Sequence, residues 1–383
     1  MPLSQIESNS IDSTANLTVN SITVGGDKTS PYAGFKNRII NGAMVIDQRN
    51  NGASVSASVD STNYFAVDRF LFQKVGAGVV TMQQSNIAPA GFSYSLKALV
   101  ATVDTSVAAG DFANITHVIE GFNTTDFGFG AAGASTVTVS FWVRSNITGT
   151  YGVALVNSVG NRSYVTNYTI NAANTWEQKT ITVAGDTSGT WLKDNSAGFL
   201  VRFGLMVGTN FQQTAGSWGT VNAMGSSSQV NWMATVGNEF YITGVQLEKG
   251  SQATAFDYRS YATELALCQR YFYVAGAIGG GYTITVGHGI SPGGSSVWRA
   301  SIAIPVPLRT TPSITETNMD VWNPAFGSTA INTISTIYYL DRGIFLEVDV
   351  TTTSSHGITG GYPAWLQTKG SGGKSTFDIS AEL

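Results

Sequence analysis

The chain has 383 residues, enough for two or three domains that each bury a core of ordinary size. Only 11% of the residues are charged, against roughly 25% in an average soluble chain, yet 43% are hydrophobic and 11% aromatic, so the composition does not indicate disorder. The formal net charge is −4, the pI is about 5.4 and no run of five Lys or Arg residues occurs, which disfavours nucleic acid and anionic membranes as partners.

Three further features are missing from the sequence. No apolar run reaches about 18 residues, so we expect no membrane insertion. Cys268 is the single cysteine, so neither an internal disulfide nor a cysteine metal cluster can form. The first residues hold no basic stretch followed by an apolar one, so we expect no signal peptide.

Residues 1–34 are polar and contain only two short alternating pieces, at 17–19 and 22–24. Neither piece can bury a core alone. Two interpretations therefore remain: a disordered tail, or an attachment arm that gains order by pairing with copies of itself or with a larger assembly. We favour the arm.

Residues 35–259 consist of many short strand patterns that are separated by turns. The clearest pattern lies at 136–143, where Val137, Val139, Phe141 and Val143 face one way and polar side chains mostly face the other. Strands without intervening helices predict an antiparallel β-sandwich of the jelly-roll type. No repeat of about 20 residues recurs, which argues against a parallel β-helix.

The one convincing helix follows a strand predicted at 241–247. Ser260 can cap it, and we place a connecting helix over residues 260–274. The spacing predicts a shared apolar face, made of Tyr261, Leu265, Cys268 and Phe272.

Residues 275–383 form a second β region. Strand patterns lie at 298–306, 331–340 and 344–350, and the alternation continues to the last residue. About 105 residues with six or so strands suffice for a second, smaller β-sandwich. The fold class is therefore all-β: an antiparallel jelly roll, one short helix and a smaller sandwich.

Four stretches resemble a known family. They are NRIINGAM at 37–44, VDRF at 67–70, WEQK at 176–179 leading to GDTSGTW at 185–191, and GVQLEKGSQATAFDYRSYATELALCQRYF at 244–272. Together they resemble a jelly-roll domain, similar to carbohydrate-binding modules, of tail-fibre and other virion surface proteins of tailed bacteriophages. The resemblance covers about residues 37–272.

The resemblance implies a structural tail fibre that binds a host receptor. It implies a homotrimer in the virion, an N-terminal arm fastened to a phage tail or baseplate protein, and a host surface polysaccharide as the ligand of the β domains. Two alternatives stay open: a spike that degrades polysaccharide, and a decoration or adaptor protein that never contacts the host.

The residues give little sign of metal or catalytic chemistry. The three histidines, His117, His288 and His356, have no local metal-binding spacing, although a distant pairing of His288 with His356 stays open. Residues 289–293 fit G-x-S-x-G, but Pro292 has no N–H to serve as an oxyanion donor, so we expect no serine hydrolase. We expect no cofactor, no metal and no catalytic residue.

Exposed aromatic side chains are the best candidates for glycan binding, because the C–H groups of a sugar ring stack on an aromatic face. Five candidates lie in loops rich in Gly, Ser, Thr and Asn: Trp191, Trp218, Trp322, Tyr362 and Trp365. The competing interpretation is that such tryptophans plug the ends of a β core. Trp176 and Trp298 lie nearer regular strands, so we assign them to the core.

Overall fold

The computed structural model describes residues 22–24, 27–29, 35–277, 283–291, 297–324, 327–339, 345–353, 362–369 and 374–383. Most of the predicted arm, and His356, lie outside these residues. Within the arm, β1 (Ile22–Val24) pairs antiparallel with β2 (Asp27–Thr29).

The first region is a two-sheet antiparallel β-sandwich, as the sequence predicted. One sheet has seven strands in the order β14-β11-β10-β13-β8-β5-β4, and the other has six in the order β12-β9-β15-β7-β6-β3. The strands are β3 (Val55–Ala57), β4 (Tyr64–Val67), β5 (Phe70–Val75), β6 (Val79–Ser85), β7 (Ser95–Thr102), β8 (Phe112–Glu120), β9 (Val137–Ser145), β10 (Gly149–Asn157), β11 (Ser163–Ile170), β12 (Glu177–Val183), β13 (Ala197–Val207), β14 (Trp218–Gly219) and β15 (Glu239–Lys249). Short 3₁₀ helices are Gly121–Phe127, Thr209–Phe211 and Trp232–Ala234.

The alternation of β9 defines the core between the sheets. Val137, Val139, Phe141 and Val143 are fully buried, as predicted. The Phe141 ring meets the ring of Phe203, from the opposite sheet, edge to face at a centroid distance of 5.0 Å. Aromatic pairs in this geometry add about 0.5 to 1.5 kcal/mol beyond burial, so the two sheets are held in register across the core.

Residues 208–231 cover part of the outer face of the seven-stranded sheet. Ala154 and Val156 of β10 point outward and are buried in one cluster with Ala223. The cover lies so close that a Cβ added at Gly204 would come within 2.6 Å of the Met224 carbonyl oxygen. This part of the sheet is therefore closed to a ligand.

The helix α1 (Tyr261–Gln269) begins where predicted, because the Ser260 hydroxyl accepts a hydrogen bond from the Thr263 N–H at 3.3 Å. It ends five residues earlier than the predicted boundary at 274, and Phe272 already belongs to the next strand. The predicted apolar face was right in part. Cys268 and Phe272 are buried as predicted, whereas Tyr261 is 64% exposed. Glu264 is buried because its carboxylate turns inward to accept the Asn41 N–H.

The described residues of the second region form nine antiparallel strands. They are β16 (Phe272–Ala277), β17 (Thr285–Ile290), β18 (Val297–Ala303), β19 (Ser313–Thr317), β20 (Met319–Asn323), β21 (Gly327–Tyr339), β22 (Phe345–Thr352), β23 (Pro363–Thr368) and β24 (Ser375–Ser380). Six of them close into a barrel in the order β17-β18-β22-β21-β20-β23, and the other three form a sheet in the order β16-β24-β19.

The all-β class is confirmed, and the second region is more closed than the sandwich expected from the sequence. Register shifts interrupt the pairing of β21 with β22 between Ile331 and Thr333 and between Thr336 and Tyr338, and that of β17 with β23 between Thr285 and Gly287. Such irregularities bend a strand and increase its twist. They allow a six-stranded sheet to close on itself.

Buried ion pairs connect the two regions. The Glu382 carboxylate lies just beyond β24 and pairs with Arg69, and with Arg49 at 2.8 Å. The Arg69 side chain is 2% exposed and also donates to the Val118 carbonyl oxygen at 2.6 Å. The last residues of the chain are thereby fixed against the first sandwich.

Asp68, next to this cluster, should make the free energy of unfolding depend on pH. Burial raises the pKa of the Asp68 carboxyl from 3.8 to about 6, although Arg49 and the Gln48 hydrogen bonds oppose the rise. Between these two pH values the folded state holds a proton that the unfolded chain releases, so the contribution of Asp68 to stability falls as the pH rises through this window. We expect Asp68→Asn to reduce this fall, measured by urea unfolding at several pH values. An unchanged pH profile in the variant would contradict the assignment.

Candidate functional site

Two of the predicted aromatic residues lie side by side on the outer surface of the barrel. Trp322 of β20 and Trp365 of β23 are directly opposite each other in the strand pairing. Their ring centroids are 4.9 Å apart and their planes are inclined at 54°. We call these two side chains the tryptophan pair.

The strand alternation explains why the pair faces solvent. The neighbouring residues Val321 and Leu366, which also pair with each other, are 1% exposed and belong to the barrel core. Because successive side chains of a strand point to opposite faces, Trp322 and Trp365 must point outward. Both are partly exposed.

Polar side chains border the pair on the adjacent strands. His288 of β17 is opposite Trp365, and Ser328 of β21 is opposite Trp322. Both side chains are exposed. Gln367, two residues along β23, donates from Nε2 to the Ser328 hydroxyl at 3.3 Å. The arrangement places two aromatic rings between groups that can donate and accept hydrogen bonds.

Tyr362 lies close to the pair along the chain. It is 42% exposed and immediately precedes β23, and its carbonyl oxygen accepts the Ser291 N–H at 3.0 Å. Ile290, opposite Pro363 on the neighbouring strand, is 53% exposed. These side chains extend the apolar surface towards one end of the barrel.

One ion pair lies beside the tryptophan pair, and a second lies farther around the barrel. Lys369 Nζ lies 3.4 Å from the Asp320 carboxylate. Arg299 binds the Asp349 carboxylate through Nε and Nη2, at 3.1 and 3.2 Å. What remains at the pair is apolar ring surface with the polar neighbours His288 and Ser328, which suits stacking against a sugar ring.

The other two predicted tryptophans lie at one end of the sandwich core. Trp191 is 8% exposed and contacts Phe129, Phe199 and Trp218 at centroid distances of 4.9, 5.1 and 5.6 Å. Its Nε1 donates to Asp186 and to the Ser188 carbonyl oxygen. Trp191 therefore offers no open aromatic face, and the competing interpretation, a core plug, describes it.

Trp218 is partly exposed and lies at the edge of the same cluster. Its Nε1 donates to the Ala184 carbonyl oxygen at 2.8 Å, and its ring meets those of Trp191 and Tyr164 edge to face. Two other tryptophans were assigned to the core. Trp298 is buried there, with 2% of its surface exposed, whereas Trp176 is partly exposed.

Trp191→Phe separates a core role from a binding role. The variant keeps an aromatic ring but loses the N–H that bonds the buried Asp186. We expect the free energy of unfolding to fall by about 1 to 2 kcal/mol, because one charge-assisted hydrogen bond is lost, and glycan binding to remain at the wild-type level. Denaturant unfolding and a binding titration of the same preparation measure both. Loss of binding at full stability would place Trp191 in the site.

Sequence reasoning missed a second aromatic cluster, on the sandwich. Phe92, Phe256 and Tyr258 have ring centroids 4.8 to 5.5 Å apart. They line a concavity of about 170 Å³ with Asp257 and Arg259 among its polar groups. The alternation of Phe256 and Tyr258 was visible in the sequence, but their contact with Phe92 depends on the fold.

Two polar groups of this concavity already have partners within the protein: Asp257 accepts the Asn37 N–H, and Arg259 donates to the Ile39 carbonyl oxygen.

The expectations about catalysis and metals concern residues that are described only in part. Pro292, Gly293 and His356 lie outside the described residues, and the described Ser291 is fully buried. Among the residues that the structure describes, no group of three or more His, Cys, Asp or Glu side chains could hold a metal ion. In the same residues, no helix has the length and apolarity needed to cross a bilayer.

The fold and the tryptophan pair define an all-β protein with an aromatic surface on a closed barrel. No family model matches the sequence, and no curated protein matches it. Among the solved structures that are similar over about half of the chain, three illustrate the range. They are the enzymatically active domain of bacteriophage CBA120 tailspike protein 4, an arabinose-bound MgGH51 α-L-arabinofuranosidase, and the family 11 carbohydrate-binding module of a Clostridium thermocellum cellulosomal cellulase.

These likenesses are weak. The tailspike domain is 14% identical, with 56% of this chain and 22% of that chain covered and a TM-score of 0.30. The arabinofuranosidase is 13% identical, with 56% and 26% covered and a TM-score of 0.29. The carbohydrate-binding module is 10% identical, with 52% and 98% covered and a TM-score of 0.27. At such TM-scores the matches carry no argument about function, which must come from the residues of this chain.

Proposed function

We propose that this chain is a structural tail-fibre or receptor-binding protein of a tailed phage, and that it attaches the virion to a glycan of the host surface. The observation that carries the proposal is the tryptophan pair on the barrel. Partly exposed aromatic rings with polar neighbours leave apolar surface in water, and they suit a ligand that is apolar on its ring faces and polar on its edges. Sugar rings have this character.

The remaining parts of the chain fit an attachment protein. The arm at residues 1–34 fastens the protein to a phage tail or baseplate component, and the acting molecule is extracellular, on the virion. The chain assembles as a homotrimer, because an 11% charge content leaves much weakly polar surface that assembly would cover. A trimer carries three weak sites, and binding at one site raises the effective concentration of ligand at the other two, so the trimer binds more tightly than one site alone.

Binding of purified protein to host cells tests the proposal. We expect saturable binding that soluble host surface polysaccharide competes for and that Trp365→Ala weakens. Tyr261→Ala is the matched control, because Tyr261 is an aromatic residue, 64% exposed, that lies outside the barrel. Equal loss in both variants would show that binding depends on general surface apolarity and not on the tryptophan pair.

A polysaccharide-degrading spike is the second candidate function. Glycoside hydrolysis requires two carboxylates that flank the scissile bond. Asp320, the carboxylate two residues from Trp322 on β20, is held in an ion pair with Lys369, which favours binding without cleavage. Release of reducing ends from host polysaccharide during a long incubation would establish the enzyme and displace our proposal.

A decoration or adaptor role is the third candidate. It differs from the proposed function in the position of the protein on the virion. Immunogold labelling should place the protein at fibre tips, whereas a label on the capsid or collar would favour the adaptor role.

A further inference from the structure

The inclination between the two tryptophan rings has a structural cause. A sheet that closes after six strands must turn its outward direction by about 60° on average from one strand to the next. Trp322 and Trp365 lie on adjacent strands at the same level, and their ring planes differ by 54°. The ring planes, whose orientation also depends on the side-chain torsions, are thus inclined by about as much as the barrel turns between neighbouring strands.

The spacing of the rings matches one step across the barrel. The centroids are 4.9 Å apart, close to the distance of about 4.8 Å between neighbouring strands. This separation is also close to the advance of one pyranose unit along a glycan chain. A glycan that runs across the strands would therefore bring successive sugars over successive strands.

The angle decides which glycans can use both rings. In a flat β-1,4-linked ribbon, successive sugar faces lie in nearly parallel planes, and only coplanar aromatic rings can stack on two of them together. Rings inclined at 54° cannot do this. An α-linked glycan, whose backbone curves, turns successive sugar faces relative to each other and can place one sugar on each ring.

Residues on the flanking strands set the length of the contact. The row of directly paired outward positions continues from Trp365 to His288 of β17 and from Trp322 to Ser328 of β21. Beyond these strands the barrel surface has turned away from any ligand that lies on the pair. Four consecutive strands therefore face the glycan, two with aromatic rings in the centre and two with hydrogen-bonding groups at the edges.

The charges near the pair favour a neutral glycan. Lys369 follows β23, and it already has a carboxylate partner in Asp320, two residues from Trp322 on β20. An acidic sugar would meet the Asp320 carboxylate together with Lys369, so it would gain little from this lysine.

We propose that the tryptophan pair binds a neutral, curved, α-linked glycan across about four strands, and that flat β-1,4-linked ribbons and acidic polymers are poor ligands. This inference rests on the proposed function, since it specifies the ligand of the same site.

A glycan array with three groups of probes tests the inference: neutral α-linked oligosaccharides, neutral β-1,4-linked oligosaccharides, and α-linked oligosaccharides of uronic acids. We expect binding to the first group at least tenfold tighter than to the other two, and lost in Trp365→Ala but not in Tyr261→Ala. A length series of the best probe should gain affinity up to about four units and then level off, and His288→Ala should reduce the gain from the last unit.

Binding to the β-1,4-linked or acidic group that depends on Trp365 would overturn the inference and leave the proposed function intact. No binding to the neutral α-linked group, together with Trp365-dependent binding to host cells, would also overturn it. Host binding that is unchanged in Trp365→Ala would instead remove the proposed function itself, so the two failures are distinguishable.

Discussion

Trp365→Ala should weaken binding to host surface polysaccharide about 10- to 100-fold and change the free energy of unfolding by no more than about 1 kcal/mol. Burying a large apolar side chain is worth about 1.5 to 3 kcal/mol, and each 1.4 kcal/mol changes Kd about tenfold. Trp365 is partly exposed and its buried neighbours on β23, Ala364 and Leu366, remain in place, so the barrel should keep its core.

Titration calorimetry with the polysaccharide, and urea unfolding of the same variant, measure both quantities. Trp322→Ala should show a loss of similar size, because the two rings contribute to one surface. Tyr261→Ala, which removes an exposed aromatic ring from α1, should bind as the wild type does. If Trp365→Ala bound as tightly as the wild type, the tryptophan pair would not be the site.

Arg69→Ala should lower the free energy of unfolding by about 3 to 5 kcal/mol, the usual cost of removing one partner of a buried ion pair. The Arg69 side chain is 2% exposed, pairs with Glu382 and donates to the Val118 carbonyl oxygen. Its guanidinium also lies 3.6 Å from the centre of the Tyr271 ring. The substitution leaves a buried carbonyl oxygen without its donor and Glu382 with Arg49 as its remaining ionic partner.

Chemical denaturation of the variant and of two controls checks this value. Arg38→Ala removes a partly exposed ion pair with Asp126 and should cost no more than about 1 kcal/mol. Arg69→Lys keeps the charge but not the planar guanidinium group. Its free energy of unfolding should lie between those of the wild type and Arg69→Ala. Equal stability of Arg69→Ala and Arg38→Ala would show that the buried cluster does not hold the two regions together.

Features that depend on local sequence were predicted well. The alternation of β9 placed Val137 and Phe141 in the core, and Ser260 began the helix, because strand alternation and N-caps need only a few neighbouring residues. The predicted end of the helix and the predicted burial of Tyr261 were wrong. Both are decided by distant partners: Phe272 pairs with Ser380 in the adjoining sheet, and Glu264 bonds the Asn41 N–H.

The candidate site shows the same division. Trp322 and Trp365 were predicted in loops, but they lie on β20 and β23. Their pairing depends on strand register that the sequence does not reveal. Trp191 has similar surroundings and was proposed as an exposed binding residue, but it is buried. The loop around it folds over the end of the sandwich, where Asp186 binds both the Trp191 N–H and Arg162. A composition rich in Gly and Ser predicts a loop but not whether that loop is open.

The most direct test of the account is oxidative footprinting of the aromatic residues, with and without the host surface polysaccharide, read out by mass spectrometry. The account predicts that bound polysaccharide protects Trp322 and Trp365 and leaves Tyr258 and Tyr261, both exposed on the other region, at their unbound rate. Protection of the cluster of Phe92, Phe256 and Tyr258, with Trp322 and Trp365 still oxidised at full rate, would contradict it.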